Sequence, residues 1–102
     1  MIKIKAYKNA LILNGHANFS AYGTDIVCAG VSAIVIGALN WFDRTTTKIQ
    51  IKDGNCFISV LETDLKQQAY IEQIRIQLLA MVANYGSYLD LETINEFYRK
   101  EH

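Results

Sequence analysis

The sequence of 102 residues contains no proline and no low-complexity stretch. Both of these features, where present, often mark linkers between domains. We therefore expect a single domain spanning residues 1–102, which is long enough to bury one hydrophobic core. Neither sign of charge is in excess, because ten basic residues balance ten acidic ones. With no net charge to attract them, neither a nucleic acid nor a membrane is an expected partner, and self-association is tolerated.

Cysteine is also scarce, and Cys28 and Cys56 are the only two. They lack CxxC spacing, so the sequence predicts neither a disulfide framework nor a metal site, and it indicates no cofactor. Two free thiols suit a reducing cytoplasm, and the N-terminal residues MIKIKAYK lack the apolar core of a signal peptide. The longest uncharged run, residues 26–42, has 17 residues, fewer than the roughly 20 that a membrane span requires.

Apolar residues that alternate with polar ones predict strands, and two turn signals join them into hairpins. Lys8-Asn9 is a plausible tight turn, because asparagine tolerates the positive φ that such turns need. Lys52-Asp53-Gly54-Asn55 contains the Asp-Gly pair typical of a second hairpin. The predicted strands cover residues 2–7, 10–16, 45–51 and 56–61, with a possible short fifth strand at 87–91.

The first predicted helix begins at Thr24, a good N-cap, and runs to about Phe42. Asp25 in its opening turn suits the helix dipole. The helix is apolar on nearly all sides, so a sheet packed on one face leaves apolar surface on another. We expect that surface to be covered by the second helix or by the partner in a homodimer.

The second predicted helix begins at Thr63 or Asp64 and runs to Tyr85, with Gly86 as its stop. Residues 93–102 are expected to form a polar tail. The element order ββαββα predicts an α+β fold, a two-layer sandwich of a mostly antiparallel sheet and two helices. The core stripe of the second helix is predicted to contain Ile71, Ile74, Leu78, Met81 and Tyr85.

The stretch from Gly15 to Ser32 carries the residue types of a thiol-imidazole pair. His16 closes an apolar strand, a loop flanked by glycines follows, and the helix then presents Cys28 in its first turns. A thiol nucleophile needs a nearby imidazole, because the thiolate attacks while the imidazole accepts and returns protons. A histidine at a strand end and a cysteine on an apolar helix are also common as structural residues, so the pattern alone leaves both interpretations open.

The run GHANFSAYGTDIVCAGVSA resembles the signature of the ribosomal-processing cysteine protease family Prp. That signature reads Gly-His-Ala, a variable loop, and then Gly-x-Asp-Ile-Val-Cys-Ala-Ala/Gly-x-Ser. The resemblance implies a cytoplasmic, homodimeric cysteine endopeptidase. It would remove a short N-terminal extension from bacterial large-subunit ribosomal protein twenty-seven, bound as an extended peptide beside an edge strand. The matching positions are Gly15, His16, Ala17, Gly23, Asp25, Ile26, Val27, Cys28, Ala29, Gly30 and Ser32.

Four residues then have predicted roles. Cys28 would be the nucleophile, and His16 the general base and later the acid toward the leaving amine. Asp25 would either orient His16 or anchor the loop and the helix start, and we favour the anchoring role because a carboxylate beside Cys28 would disfavour its thiolate. Ser32 would either donate to the substrate or bond back to the carbonyl of Cys28.

The loop of residues 17–23 is the predicted substrate loop. Its aromatic residues, Phe19 and Tyr22, either pack onto the core or form a flap that meets the peptide. Gly15 and Gly23 make hinge motion plausible, so we expect the peptide to order the loop and bring His16 to Cys28. The substrate-loop positions are Gly15, Ala17, Phe19, Tyr22 and Gly23.

The donors to the oxyanion are left open among the amides of Asp25, Ile26 and Val27.

A function of another class also remains open. The same fold would serve as a non-catalytic binding module for ribosome assembly or as a redox-sensing thiol protein. A redox sensor needs a reactive thiol but no general base, whereas a binding module needs neither, so the pairing of His16 with Cys28 distinguishes the protease.

Overall fold

The computed structural model describes residues 1–21 and 24–99. Within these ranges the chain forms five β-strands and two α-helices, in the order ββαββα followed by the fifth strand. A turn of 3-10 helix at Leu39–Trp41 extends the first helix. The strands are β1 Ile2–Ala6, β2 Ala10–Asn14, β3 Lys48–Lys52, β4 Asn55–Ser59 and β5 Leu89–Thr93, and the helices are α1 Ile26–Ala38 and α2 Leu65–Tyr85.

The strands form one sheet in the order β3-β4-β2-β1-β5. β5 runs parallel to β1, and the other neighbouring pairs are antiparallel, which confirms the predicted α+β fold with a mostly antiparallel sheet. In the registers, Ile4 lies opposite Leu13 and Leu11 lies opposite Ile58. Because side chains alternate along a strand, these residues point to one face, where the helices pack.

The core lies between that face and the two helices. The predicted stripe of α2 is confirmed for Ile71, Ile74 and Leu78, which are buried, while Met81 and Tyr85 are partly buried. None of the described helices is long and apolar enough to cross a membrane. The largest fully buried side chains are Ile4, Leu11, Val27, Ile58, Ile71, Ile74 and Leu78.

The helices meet at a glycine of α1. A Cβ on Gly30 would lie 2.7 Å from Cε of Met81, so a larger residue there would push the methionine aside. The predicted second helix is correct at its start, where Asp64 is the N-cap. Its stop is also correct, although Gly86 ends it with an ordinary right-handed φ of −59°.

The third strand begins later than predicted. Residues 44–46 form a turn. The buried side chain of Gln67 holds its two ends, because it accepts hydrogen bonds from Asp43 N–H at 2.6 Å and from the Thr47 hydroxyl at 2.7 Å. The threonines favour a strand by propensity, but these contacts with α2 decide the local structure, so β3 starts at Lys48.

The C-terminal segment is not a free polar tail, which corrects the prediction for residues 94–99. The buried side chain of Asn9 accepts a hydrogen bond from Tyr98 N–H at 2.7 Å. The Tyr98 ring packs edge-on against Tyr7 and Phe57, with centroids 5.2 and 5.4 Å away. Phe57 is next to Ile58 on β4, and because neighbouring side chains point to opposite faces, Phe57 lies on the face away from the helices. The segment of residues 94–99 therefore covers part of that face. The Lys8-Asn9 turn is present, but without a positive φ at Asn9.

Candidate active site

His16 extends from the end of β2 through a turn that requires glycine. Gly15 has a φ of +97°, and a Cβ there would lie 2.5 Å from the carbonyl oxygen of Met1. The Gly15 N–H donates to the carbonyl of Gly54 at 2.7 Å, which ties the end of β2 to the turn between β3 and β4. His16 therefore emerges, exposed, beside that turn.

The β3–β4 turn supports the imidazole of His16. A Cβ on Gly54 would lie only 2.9 Å from His16 Nε2, so the ring rests against a position that has no side chain. Gly54 also has a φ of +73°, a conformation that side chains disfavour. The sequence predicts the turn from its Asp-Gly pair, but no sequence signal connects it with a histidine 38 residues away.

Cys28 lies in the first turn of α1, and Asp25 caps the helix. The predicted cap, Thr24, is wrong, because its hydroxyl donates to the carbonyl of Ala21 at 2.8 Å instead. One carboxylate oxygen of Asp25 accepts hydrogen bonds from the N–H groups of Val27 and Cys28, both at 3.0 Å. The Val27 amide is therefore already engaged, which corrects its predicted place among the free oxyanion donors.

The second oxygen of Asp25 holds the loop. It accepts from Phe19 N–H at 2.9 Å and from Ser20 N–H at 3.4 Å. Partial desolvation raises the pKa of Asp25, but the four backbone N–H groups outweigh it and hold that pKa below its usual range. Within the described residues the carboxylate makes no hydrogen bond to His16, and its contacts anchor the loop and the helix start.

The sulfur of Cys28 has a backbone partner in the loop. Ala17 N–H donates to Cys28 Sγ at 3.3 Å, and Ala17 is buried, with 3 % of its surface exposed. Within the described ranges no hydrogen bond joins His16 to Cys28. The hydrogen-bond partner of the Cys28 sulfur is therefore the backbone N–H of the residue after His16, and not the His16 imidazole.

Two adjacent cavities, of about 370 and 500 Å³, share His16, Cys28 and Ser32 in their linings. The first is a groove between α1 and the β3–β4 hairpin, with Ile36 of the helix and Ile51 of the hairpin on its walls. The second lies on the loop side and reaches Asp25 and Asn18. In the described part of the chain, Ser32 makes no hydrogen bond back to the carbonyl of Cys28, and the residue lines both cavities.

Phe19 packs on one side and is open on the other. Its ring lies edge-on to those of Tyr85 and Tyr88, with centroids 5.9 and 5.1 Å away, and 38 % of the residue is exposed. Phe19 therefore packs against the protein, as one of the two alternatives predicts, and its contact with a peptide stays a prediction. The other predicted loop residues, Tyr22 and Gly23, lie outside the described residues.

Cys56 lines the same groove as Cys28 but differs in its chemistry. It lies on β4 opposite Leu13 and is packed against the core. Burial raises the pKa of its thiol to about 11, so the group is neutral near pH 7 and a poor nucleophile. The described residues contain no cluster of three or more histidine, cysteine or acidic side chains that would hold a metal ion.

Comparisons with known proteins identify a family to which the chain is similar. The profile of the family described as cysteine protease Prp matches residues 1–90. The ribosomal processing cysteine proteases Prp of Mycoplasma pneumoniae and Mycoplasma genitalium are 30 % and 32 % identical to the chain. These alignments cover 90 % and 94 % of the chain, and 94 % and 96 % of the respective relatives.

A solved structure is similar as well. It is the essential ribosomal processing protease Prp from Staphylococcus aureus in complex with a covalently linked product peptide. It superposes with a TM-score of 0.83 at 25 % identity, and the match covers 92 % of this chain and all of that one. Similarity in sequence and in fold therefore points to the same family.

Proposed function

Because this chain belongs to the cysteine protease Prp family, we propose that Cys28 is its nucleophile and His16 its general base. The observation that carries the proposal is that both residues line the same two cavities, one from the first turn of α1 and the other from the end of β2. Cys56 is the less suitable nucleophile of the two, because burial raises the pKa of its thiol to about 11.

The reaction divides the steps between these two side chains. His16 accepts the thiol proton, and the thiolate of Cys28 attacks the scissile carbonyl carbon, forming the S–C bond and moving the carbonyl π pair onto oxygen. That pair returns as the C–N bond breaks, and the imidazolium protonates the leaving amine. A water molecule then attacks the thioester carbon while His16 accepts a proton from that water. The S–C bond breaks, the carboxylic acid is released, and the imidazolium returns the proton to the sulfur of Cys28.

The substrate is proposed to be the N-terminal extension of ribosomal protein twenty-seven of the large subunit. The names of the relatives support ribosomal processing, and the Staphylococcus aureus structure with a covalently linked product peptide supports a peptide substrate. The groove beside α1 is lined mainly by apolar residues and adjoins β3, an edge strand. An extended peptide with apolar residues before the cut would fit it and add to that edge.

The protein is further proposed to act as a cytoplasmic homodimer. Support for the dimer comes from apolar side chains on the outer faces of both helices, where Ile26 of α1 and Ile76 of α2 are 55 % and 53 % exposed. Leu65 of α2 is 77 % exposed. A second copy that packed against these faces would bury them, and the zero net charge does not oppose it.

The test is incubation with the full-length ribosomal protein precursor, followed by intact-mass analysis. We expect one N-terminal fragment and one shortened protein whose masses define the cut. Cys28→Ala should give no product. An unchanged precursor mass with the folded parent protein would refute the proposal and favour a non-catalytic binding module.

A further inference from the structure

The amides nearest to Cys28 along the helix are already engaged. At a helix N-terminus, free N–H groups are natural donors to a developing negative charge. Here the N–H groups of Val27 and Cys28 both bond to the carboxylate of Asp25, and that of Ala29 bonds to the Asp25 carbonyl at 3.0 Å. The nucleophile's own amide is therefore not available to an oxyanion while Asp25 caps the helix.

One amide approaches the sulfur from outside the helix. Ala17 N–H points at Cys28 Sγ from 3.3 Å, and the burial of Ala17 leaves little room for water as another partner. The chain on either side has left-handed turns, at Gly15 with φ +97° and at Asn18 with φ +56°. These turns and the contact of Asp25 with Phe19 N–H hold the Ala17 amide in its direction.

We propose that the backbone N–H of Ala17 stabilises the negative charge of the reaction, first on Cys28 Sγ and then on the scissile carbonyl oxygen. The inference rests on the proposed role of Cys28. When the S–C bond forms, the carbonyl π pair moves to oxygen, and sulfur and oxygen are then bonded to the same tetrahedral carbon. A donor that reaches one of them reaches the other with little movement. When the C–N bond breaks, the pair returns and the oxygen releases the donor.

A single-atom change in the backbone tests the proposal. Replacing Ala17 by lactic acid turns its amide into an ester, which removes the N–H and keeps the methyl group. Cys28 provides the ligation point, because a synthetic thioester of residues 1–27 can be joined to recombinant residues 28–102. We expect slower alkylation of Cys28 by iodoacetamide at neutral pH. Single-turnover cleavage of the precursor should fall by a factor on the order of 10²–10³, the effect of losing one oxyanion donor.

The matched control is an ester at Tyr7, made with hydroxyphenyllactic acid in the same synthetic segment. It removes the hydrogen bond of 2.8 Å from Tyr7 N–H to the carbonyl of Ala10, in a turn outside both cavity linings. It should lower the melting temperature as the Ala17 ester does, but leave both rates at those of the parent. Equal rate losses in the two esters, or parent-like rates in the Ala17 ester, would overturn the proposal.

A measurement on the unmodified chain covers the case in which the Ala17 ester does not fold. A peptide aldehyde that ends at the mapped cut forms a thiohemiacetal with Cys28, and its oxygen takes the place of the oxyanion. We expect a downfield shift of the ¹⁵N-labelled Ala17 amide proton on binding, and an unmoved signal would overturn the proposal. If Cys28→Ala still cleaves, the proposed nucleophile is wrong. If Cys28→Ala is inactive and the Ala17 ester cleaves like the parent, only this inference is wrong.

Discussion

The imidazole of His16 lies directly against the backbone of Gly54, where a Cβ would stand 2.9 Å from Nε2. A hydrogen bond of 2.7 Å from Gly15 N–H to the Gly54 carbonyl fixes the same two segments. The hairpin tip and the proposed base are thus one structural unit. The position of the imidazole depends on a residue that takes no part in the chemistry.

Gly54→Ala should therefore lower turnover by displacing His16. Turnover should fall by at least about tenfold, since positioned general bases contribute roughly 10²–10⁴. Strain from the positive φ would also cost about 1–2 kcal/mol of stability. Steady-state kinetics and thermal unfolding measure the two effects separately.

Two control variants separate crowding from strain. Gly54→Asn relieves much of the strain, because asparagine tolerates the left-handed region, but it keeps the Cβ beside His16. It should be more stable than Gly54→Ala and equally slow. Gly37→Ala adds a methyl group that, among the described residues, meets no atom within 4 Å apart from its chain neighbours and the nearby backbone of its own helix, and it should keep the parent's activity. Recovery of turnover in Gly54→Asn would contradict the crowding explanation.

The two cysteines should differ sharply in reactivity. Because burial raises the pKa of Cys56 to about 11, it carries almost no thiolate between pH 7 and 8. Peptide mapping after brief iodoacetamide treatment should find the label on Cys28 and little on Cys56. Cys28→Ala and Cys28→Ser should abolish cleavage with the fold intact, whereas Cys56→Ala should still cleave. Parent-like cleavage by either Cys28 variant would exclude it as the nucleophile.

Asp25 should matter for the fold of the loop more than for proton transfer. Asparagine caps helices about as well as aspartate, but its NH2 group cannot accept from the N–H groups of Phe19 and Ser20. Asp25→Asn should therefore regain only part of the melting temperature that Asp25→Ala loses. Because the folded pKa of Asp25 is lowered, its stabilising effect is present above its unfolded pKa and is lost as pH falls through the folded value. Acid unfolding of Asp25→Asn should show a weaker pH dependence than the parent.

The proposed dimer gives a prediction for the outer face of α2. Ile76→Glu should shift the protein toward monomer, because it would bury a charge in the interface. Gln77→Glu adds the same charge at the next, exposed polar position and is the matched control. Sedimentation equilibrium measures both. A parent protein that stays monomeric at high concentration, or an Ile76→Glu dimer as tight as the parent's, would be evidence against this interface.

Much of the fold could be predicted from periodicity, because each strand and helix buries one regular face. The errors lie where a tertiary contact overrides a local preference. Thr24 and Asp25 are both residue types that cap helices well. Asp25 is the cap in the structure, where its carboxylate also accepts hydrogen bonds from the loop amides of Phe19 and Ser20. Residues 45–47 have strand propensity, but side-chain contacts with Gln67, which lies 20 residues further along the chain, keep them out of β3.

The site could be predicted only for those residues that lie within the signature of residues 15–32. His16 and Cys28 stand within one short stretch, so sequence alone could pair them. The contribution of Gly54 depends on the sheet order, which brings β4 beside β2. The Ala17 amide has no sequence signal at all, because every residue except proline carries a backbone N–H.

The Tyr98 contact has a consequence for where this domain ends. The family profile stops at residue 90, yet Asn9 and Phe57 are covered by a segment that follows β5. A chain shortened after Thr93 would leave the buried amide of Asn9 without its Tyr98 partner and would expose the Phe57 ring. The unit that folds is therefore longer than the family profile, and a boundary for expression or for a fused tag belongs beyond Arg99.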